Sequence, residues 1–217
     1  MLENLNEVYK NINDNKTAKE VTIVCATKTV SVDKINQLPM NNLFIAGENR
    51  VQEFLEKVDL VNGVKWHIIG RLQTNKVKYV VGKVDLIESV DRVELVDEIE
   101  KQSAKKQVKT NVLVQINGGN EENKGGVDVE NVKEMLDYVK TKEHIVLQGL
   151  MSVFPKDAPN DLYAKVKQAF DKYKDKYGLT ILSMGMSNDY VTAVKNGATQ
   201  VRLGSVLFGK REGGTNE

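Results

Sequence analysis

Eight short runs rich in Val, Ile and Leu recur along this chain, and amphipathic stretches separate most of them. The runs are VTIVCATK (21–28), LFIAGE (43–48), VKWHIIG (64–70), DLIES (85–89), VKTNVLVQIN (108–117), IVLQGLMSV (145–153), LTILSMGM (179–186) and TQVRLGS (199–205). Between them the apolar period changes from two to nearly four. Residues 91–106 place Val93, Val96 and Ile99 at helical spacing, and 129–142 and 161–178 read the same way, with Gly178 as the C′ residue of the last. A strand lying parallel to its predecessor needs a long crossover, and helices supply it. Eight such units predict an α/β chain closed into a single (β/α)8 TIM barrel, with an open doubly wound sheet as the alternative. At 217 residues there is room for one lean barrel. The chain therefore reads as one domain over 1–217, with an N-terminal helix in 1–18 and a frayed tail at 212–217.

Charge and composition set several classes of function aside. Acids and bases nearly cancel, leaving a net charge of +1, so no basic surplus points to nucleic acid. A single cysteine, Cys25, cannot form an intramolecular disulfide, and it reads as a small core residue. The opening MLENLNEVYKNINDNK is polar throughout, and no apolar run is long enough to span a bilayer. A cytoplasmic protein with neither nucleic acid nor membrane as partner is expected. His67 and His144 show no metal-ligand spacing, so no metal is expected either.

In such a barrel chemistry gathers where the strands end, and small or polar residues crowd that end here. Lys28 closes the first run. Alternation puts Thr22, Val24, Ala26 and Lys28 on one face, and if small Ala26 looks inward, Lys28 points to the upper mouth. A partly desolvated lysine there would have a freed amine suited to Schiff-base chemistry; the alternative is a rim lysine with its ammonium in water. After the seventh run, Ser187 is placed to cap a helix over 188–196 that Gly197 would close, and the eighth run leads into Gly204 and Ser205. Glycine backbone and helix N–H groups at those two positions suit a phosphate, although ordinary capping explains them too. Arg202 shares a face with Gly204 and should point into the barrel, toward a ligand or a buried carboxylate. Glu48 and Glu88 are the rim carboxylates that could act as bases, and neither has an obvious partner in the sequence. Trp66 reads as core, and Met184 and Met186 as packing residues.

At these residues the chain becomes similar to a known family. The stretches CATKTV (25–30), FIAGENRVQEFLEK (44–57), WHIIGRLQTNK (66–76), IESVDR (87–92), VLVQINGGNEENKGGV (112–127), LQGLMSV (147–153) and LSMGMSNDYVTAVKNGATQVRLGSVLFGKR (182–211) resemble the pyridoxal phosphate homeostasis protein family. Its members are small barrels that bind pyridoxal 5′-phosphate (PLP) and are similar to the N-terminal domain of alanine racemase, a fold-type III PLP-binding barrel. The resemblance implies that Lys28 holds PLP as a Schiff base. It implies that Ser187, Gly204 and Ser205 bind the phosphate with help from the backbone near Met186, that Arg202 faces the pyridine nitrogen, and that Asn49 lies close to the cofactor. A guanidinium donates and does not accept, so that pyridine nitrogen would stay unprotonated and PLP would be a poor electron sink. The chain departs from the family pattern at Arg50, where Tyr is expected, at Arg71, where Pro is common, and at Ser205, where Thr is common.

The resemblance implies a PLP homeostasis role without robust catalytic activity, with PLP-dependent apo-enzymes as candidate recipients. A racemase needs a base on each face of its substrate, and in alanine racemase a separate β-domain supplies one across a dimer. Here the chain continues for about six residues past the last matching stretch, so no such domain and a monomer are expected. Tyr79, Tyr138, Tyr163 and Tyr190 fall in predicted helices or their first turns. Two alternatives stay open: a PLP-dependent amino-acid racemase-type enzyme, and an aldolase using Lys28 on a sugar phosphate.

Overall fold

The computed structural model describes residues 4–119 and 125–209. The predicted tail at 212–217 and the centre of the polar stretch 117–126 lie outside the described residues. The strands are β1 (Thr22–Ala26), β2 (Ile45–Glu48), β3 (Lys65–Ile68), β4 (Leu86–Val90), β5 (Thr110–Asn117), β6 (Ile145–Val153), β7 (Ile181–Met186) and β8 (Gln200–Leu203). They are all parallel and form a closed barrel in sequence order, β1 pairing with β8. The helices are α1 (Leu5–Asn15), α2 (Val32–Ile35), α3 (Val51–Lys57), α4 (Val77–Val80), α5 (Val93–Lys106), α6 (Val132–Lys140), α7 (Asn160–Tyr177), α8 (Tyr190–Lys195) and α9 (Ser205–Phe208). The barrel, not the open sheet, is the fold. Among the described residues no helix is long and apolar enough to cross a membrane.

Alternation along each strand divides the side chains as the pattern demands. Ile23, Cys25, Ile87, Val112, Val114 and Leu150 face outward into the large core between sheet and helices. Leu86, Leu113 and Met151 form a separate small cluster inside the barrel. Above it the interior turns polar, with His67, Glu88, Ser183, Gln200 and Arg202 all buried. Helix α1 adds Leu5, Val8 and Ile12 to the outer core and lies against α8. Gly178 ends α7 with φ 70°, and Gly197 follows α8 with φ 85°, as their sequence positions predict.

Two differences from the sequence reading bear on the site. First, β1 ends at Ala26, so Lys28 lies in the turn beyond the strand and not on its last position. The Thr27 N–H still donates to the Gly47 carbonyl, but Thr29 then adopts φ 63° and the chain leaves the sheet. Second, α8 begins at Tyr190, with Asp189 in the N-cap position, so Ser187 does not cap it.

Candidate functional site

Lys28 is half-buried at the C-terminal mouth of the barrel. It lines a cavity of about 440 Å³ together with Ala26, Thr29, Ser31, Lys34, Gly204, Ser205 and Phe208. Strand β1 puts Ala26 against β8, where a Cβ on Gly204 would stand 3.4 Å from the Ala26 Cβ. That small pair keeps the wall thin and leaves the backbone at Gly204 open to the cavity.

The hydroxyl of Ser187 accepts hydrogen bonds from the N–H groups of Gly204, at 3.0 Å, and Val206, at 3.3 Å. The segments that follow β7 and β8 thereby meet at one oxygen. This is a better use of Ser187 than the predicted cap, because those two amides lie at the start of α9 and have no partner within it. The turn before α8 is held by Asp189 instead. Its carboxylate accepts the Met186 N–H at 2.6 Å and the Tyr163 hydroxyl at 2.7 Å. Burial, then the neighbouring Asp189, push the Tyr163 phenol above its ordinary value, so it remains a donor.

Arg202 points into the barrel and is nearly fully buried. Its guanidinium donates to the Ser183 hydroxyl at 2.7 Å and to the Ser152 carbonyl at 2.8 Å. Ser183 in turn donates to Glu88 at 2.6 Å. Glu88 also accepts from Gln200 at 2.9 Å and lies 2.7 Å from His67 Nδ1. Burial lowers the pKa of Arg202, and the Glu88 and Asp189 charges oppose that shift. A guanidinium stays charged under such a pull. Arg202 therefore shares a network with a buried carboxylate, through Ser183, the second of the two alternatives its position in the sequence allowed.

Of the seven candidate site residues, three line one cavity, two adjoin it and two do not line it. Lys28, Gly204 and Ser205 share the cavity, and Ser187 and Arg202 adjoin it through Gly204 and β8. Asn49 is exposed and Met186 is partly exposed, and neither lines the cavity. The backbone of Asn49 instead packs on Gly70, where a Cβ would stand 2.3 Å from the Asn49 carbonyl oxygen. Arg50 and Arg71 are exposed, and Arg71 lies 3.6 Å from Asp91.

The profile of the alanine racemase N-terminal domain family matches residues 4–212. The pyridoxal phosphate homeostasis protein of Aquifex aeolicus is 44% identical over 195 residues, covering 86% of each chain. The chain belongs to the pyridoxal phosphate homeostasis protein family. The Haemophilus influenzae protein of that name is 30% identical over 233 residues, covering 99% of this chain and 97% of that one. Among solved structures, PipY of Synechococcus elongatus with PLP bound superposes with a TM-score of 0.83 at 26% identity, covering 96% of this chain and 99% of PipY.

Within this member of the family, several residues around the site went unread in the sequence. Glu48 and Glu88 are not unpartnered rim carboxylates. Glu88 lies inside the barrel at the centre of the network just described. Glu48 faces outward, fully buried, and accepts from Lys57 and from the Thr27 hydroxyl, each at 2.7 Å. Burial raises the Glu48 pKa, with Lys57 and Thr27 pulling against the rise. Lys57 was legible in part, since it stands four residues after Glu53 on one helix. Ser183, Gln200 and Arg202 were legible as inward positions by alternation.

Proposed function

We propose that this chain binds PLP through a Schiff base on Lys28 and serves in PLP homeostasis, without robust catalytic turnover. The observation that carries this reading is the cavity that Lys28 lines together with Gly204 and Ser205. The residues fit the cofactor. The amides of Gly204 and Val206 already gather on one oxygen, that of Ser187, and the same donors suit a phosphate. When bound, PLP supplies an aldehyde that condenses with an amine, forming a C=N bond and releasing water. Lys28 provides that amine in its deprotonated form. Ser187, Gly204 and Ser205 would hold the phosphate; Met186 and Asn49 stand outside the cavity, and the Met186 N–H is taken by Asp189. Arg202 would donate to the pyridine nitrogen and so leave it unprotonated, which would favour holding the cofactor over turning substrate with it. PLP-dependent apo-enzymes are the recipients, and the chain works as a cytoplasmic monomer.

The hydroxyls of the tyrosines considered for a second base support this reading over a racemase. Tyr163 donates to Asp189, Tyr138 donates to Asp97, and Tyr190 accepts from Asn11. None of these three, nor Tyr79, lines the cavity. A sugar-phosphate aldolase would use the same lysine and the same phosphate corner, and it is separated by the chromophore.

The test is an absorbance spectrum with PLP, before and after borohydride, followed by peptide mass spectrometry. A band that reduces to a stable adduct on Lys28, lost in Lys28→Ala, is expected. Adducts scattered over surface lysines would overturn the PLP reading. Steady racemization of an amino acid, abolished by Lys28→Ala, would overturn the non-catalytic part.

A further inference from the structure

Thr29, directly after Lys28, has φ 63°. That left-handed region is one a β-branched residue rarely enters. Such strain persists where the surroundings over-determine it. Thr29 borders the cavity, and the Val30 N–H closes the turn by donating to the Thr27 carbonyl at 2.9 Å; the side-chain partners that hold the turn lie on the helix side of the barrel wall. Its N–H donates to Glu53 at 2.9 Å. The carbonyl of Thr27, on the other side of Lys28, accepts from the Lys57 ammonium at 2.9 Å. Lys57 also donates to Glu48 at 2.7 Å and to Glu53 at 3.4 Å. Its three N–H donors are thereby engaged. Helix α3 thus grips the residue before Lys28 and the residue after it, while Glu48, Glu53 and Lys57 stay out of the cavity.

Space filling does not account for this cluster. The second oxygen of Glu48, Oε2, is buried with no hydrogen-bond partner. An apolar pair would fill the same volume without that penalty. We propose that Glu48, Glu53 and Lys57 are positioning residues for the Lys28 amine: they hold Thr29 left-handed, and that turn aims Lys28 into the cavity it shares with Gly204 and Ser205. The inference rests on the reading of Lys28 as the PLP attachment point. Lys57, although buried beside the site, is excluded as an attachment lysine because its donors are committed on the far side of the wall.

Glu53 is partly exposed, so Glu53→Ala removes the grip on Thr29 without opening the core. Thr29→Gly removes the need for the grip, since glycine takes φ near 60° freely. The full chain, Glu53→Ala, and Glu53→Ala combined with Thr29→Gly are titrated with PLP, and the borohydride-reducible band and melting temperature are recorded for each. Glu53→Ala should weaken PLP binding about tenfold, the scale of one lost charge-assisted hydrogen bond, with little change in melting temperature. Adding Thr29→Gly should restore most of the affinity, a rescue that a merely structural role would not produce. Parent-like binding by Glu53→Ala, or a double variant no better than Glu53→Ala, overturns the inference. If the parent itself forms no adduct on Lys28, the PLP reading fails, and this inference fails with it.

Discussion

Ser183 shows how much one hydroxyl can carry. It donates to Glu88 and accepts from both Arg202 and Gln200. A buried guanidinium and a buried carboxylate are thus joined through it without touching each other. Ser183→Ala leaves each of them one partner short. Unfolding free energy should fall by about 2–3 kcal/mol, since a buried guanidinium and a buried carboxyl group each lose a hydrogen-bond partner, and PLP binding should weaken because Arg202 loses its anchor. The midpoint of urea unfolding at constant m-value checks the first, and PLP titration the second. Cys25 is the opposite case, a polarizable atom with nothing to do. Burial pushes its thiol up to about 12, and it is fully enclosed between sheet and helices. A thiol reagent at neutral pH should label it only as the chain unfolds, so the labelling rate should track the unfolding rate. Fast stoichiometric labelling of the native protein would contradict the burial of Cys25.

Pairs of elements bring their own constraints. Strands β6 and β7 approach so closely at Gly149 that a Cβ there would stand 1.8 Å from the Ile181 carbonyl oxygen. Backbone cannot yield as a side-chain tip does, so Gly149→Ala should lower stability by roughly 3 kcal/mol or more; thermal denaturation measures it. Helices α6 and α7 are bridged at the surface by Asp137, which accepts from Lys133, from the Tyr177 hydroxyl and from Lys176. Lys133 first, then Tyr177, hold the Asp137 carboxyl well below its ordinary value of 3.8. A depressed folded-state pKa contributes stability that is present above 3.8 and lost as pH falls through the folded value. The melting temperature of the parent should therefore converge on that of Asp137→Asn as pH drops below about 3.8, and the gap should shrink in high salt. Element boundaries were less legible than element identities. Ser187, Asn188 and Asp189 are all good capping residues within three positions, and local preference alone cannot choose among them. The choice was made by Gly204 and Val206, whose amides draw Ser187 away.

At the scale of the whole molecule, α1 packs on the outer layer of the barrel against the short helix α8. It buries Leu5, Val8 and Ile12, and Asn11 donates to the Tyr190 hydroxyl. Removing residues 1–15 should lower stability by on the order of 5 kcal/mol, the worth of three buried aliphatic side chains, as read from the urea midpoint. The number of strands, their parallel order and the inward faces of β1 and β8 are all legible along the chain. Those properties are periodic, and a period is written along a single segment. The sequence also marked Lys28, Ser187, Arg202, Gly204 and Ser205 as neighbours of one mouth, because strand ends in a barrel share a face. Only the tertiary structure decided the partners. Ser183 and Glu88 are 95 positions apart, and Gln200 and Glu88 are 112 apart. Their meeting depends on the stagger between strands, which no single strand encodes. The turn that aims Lys28 is decided in the same way, by Glu53 and Lys57 reaching across from α3, because a left-handed threonine is stable only where other elements hold it.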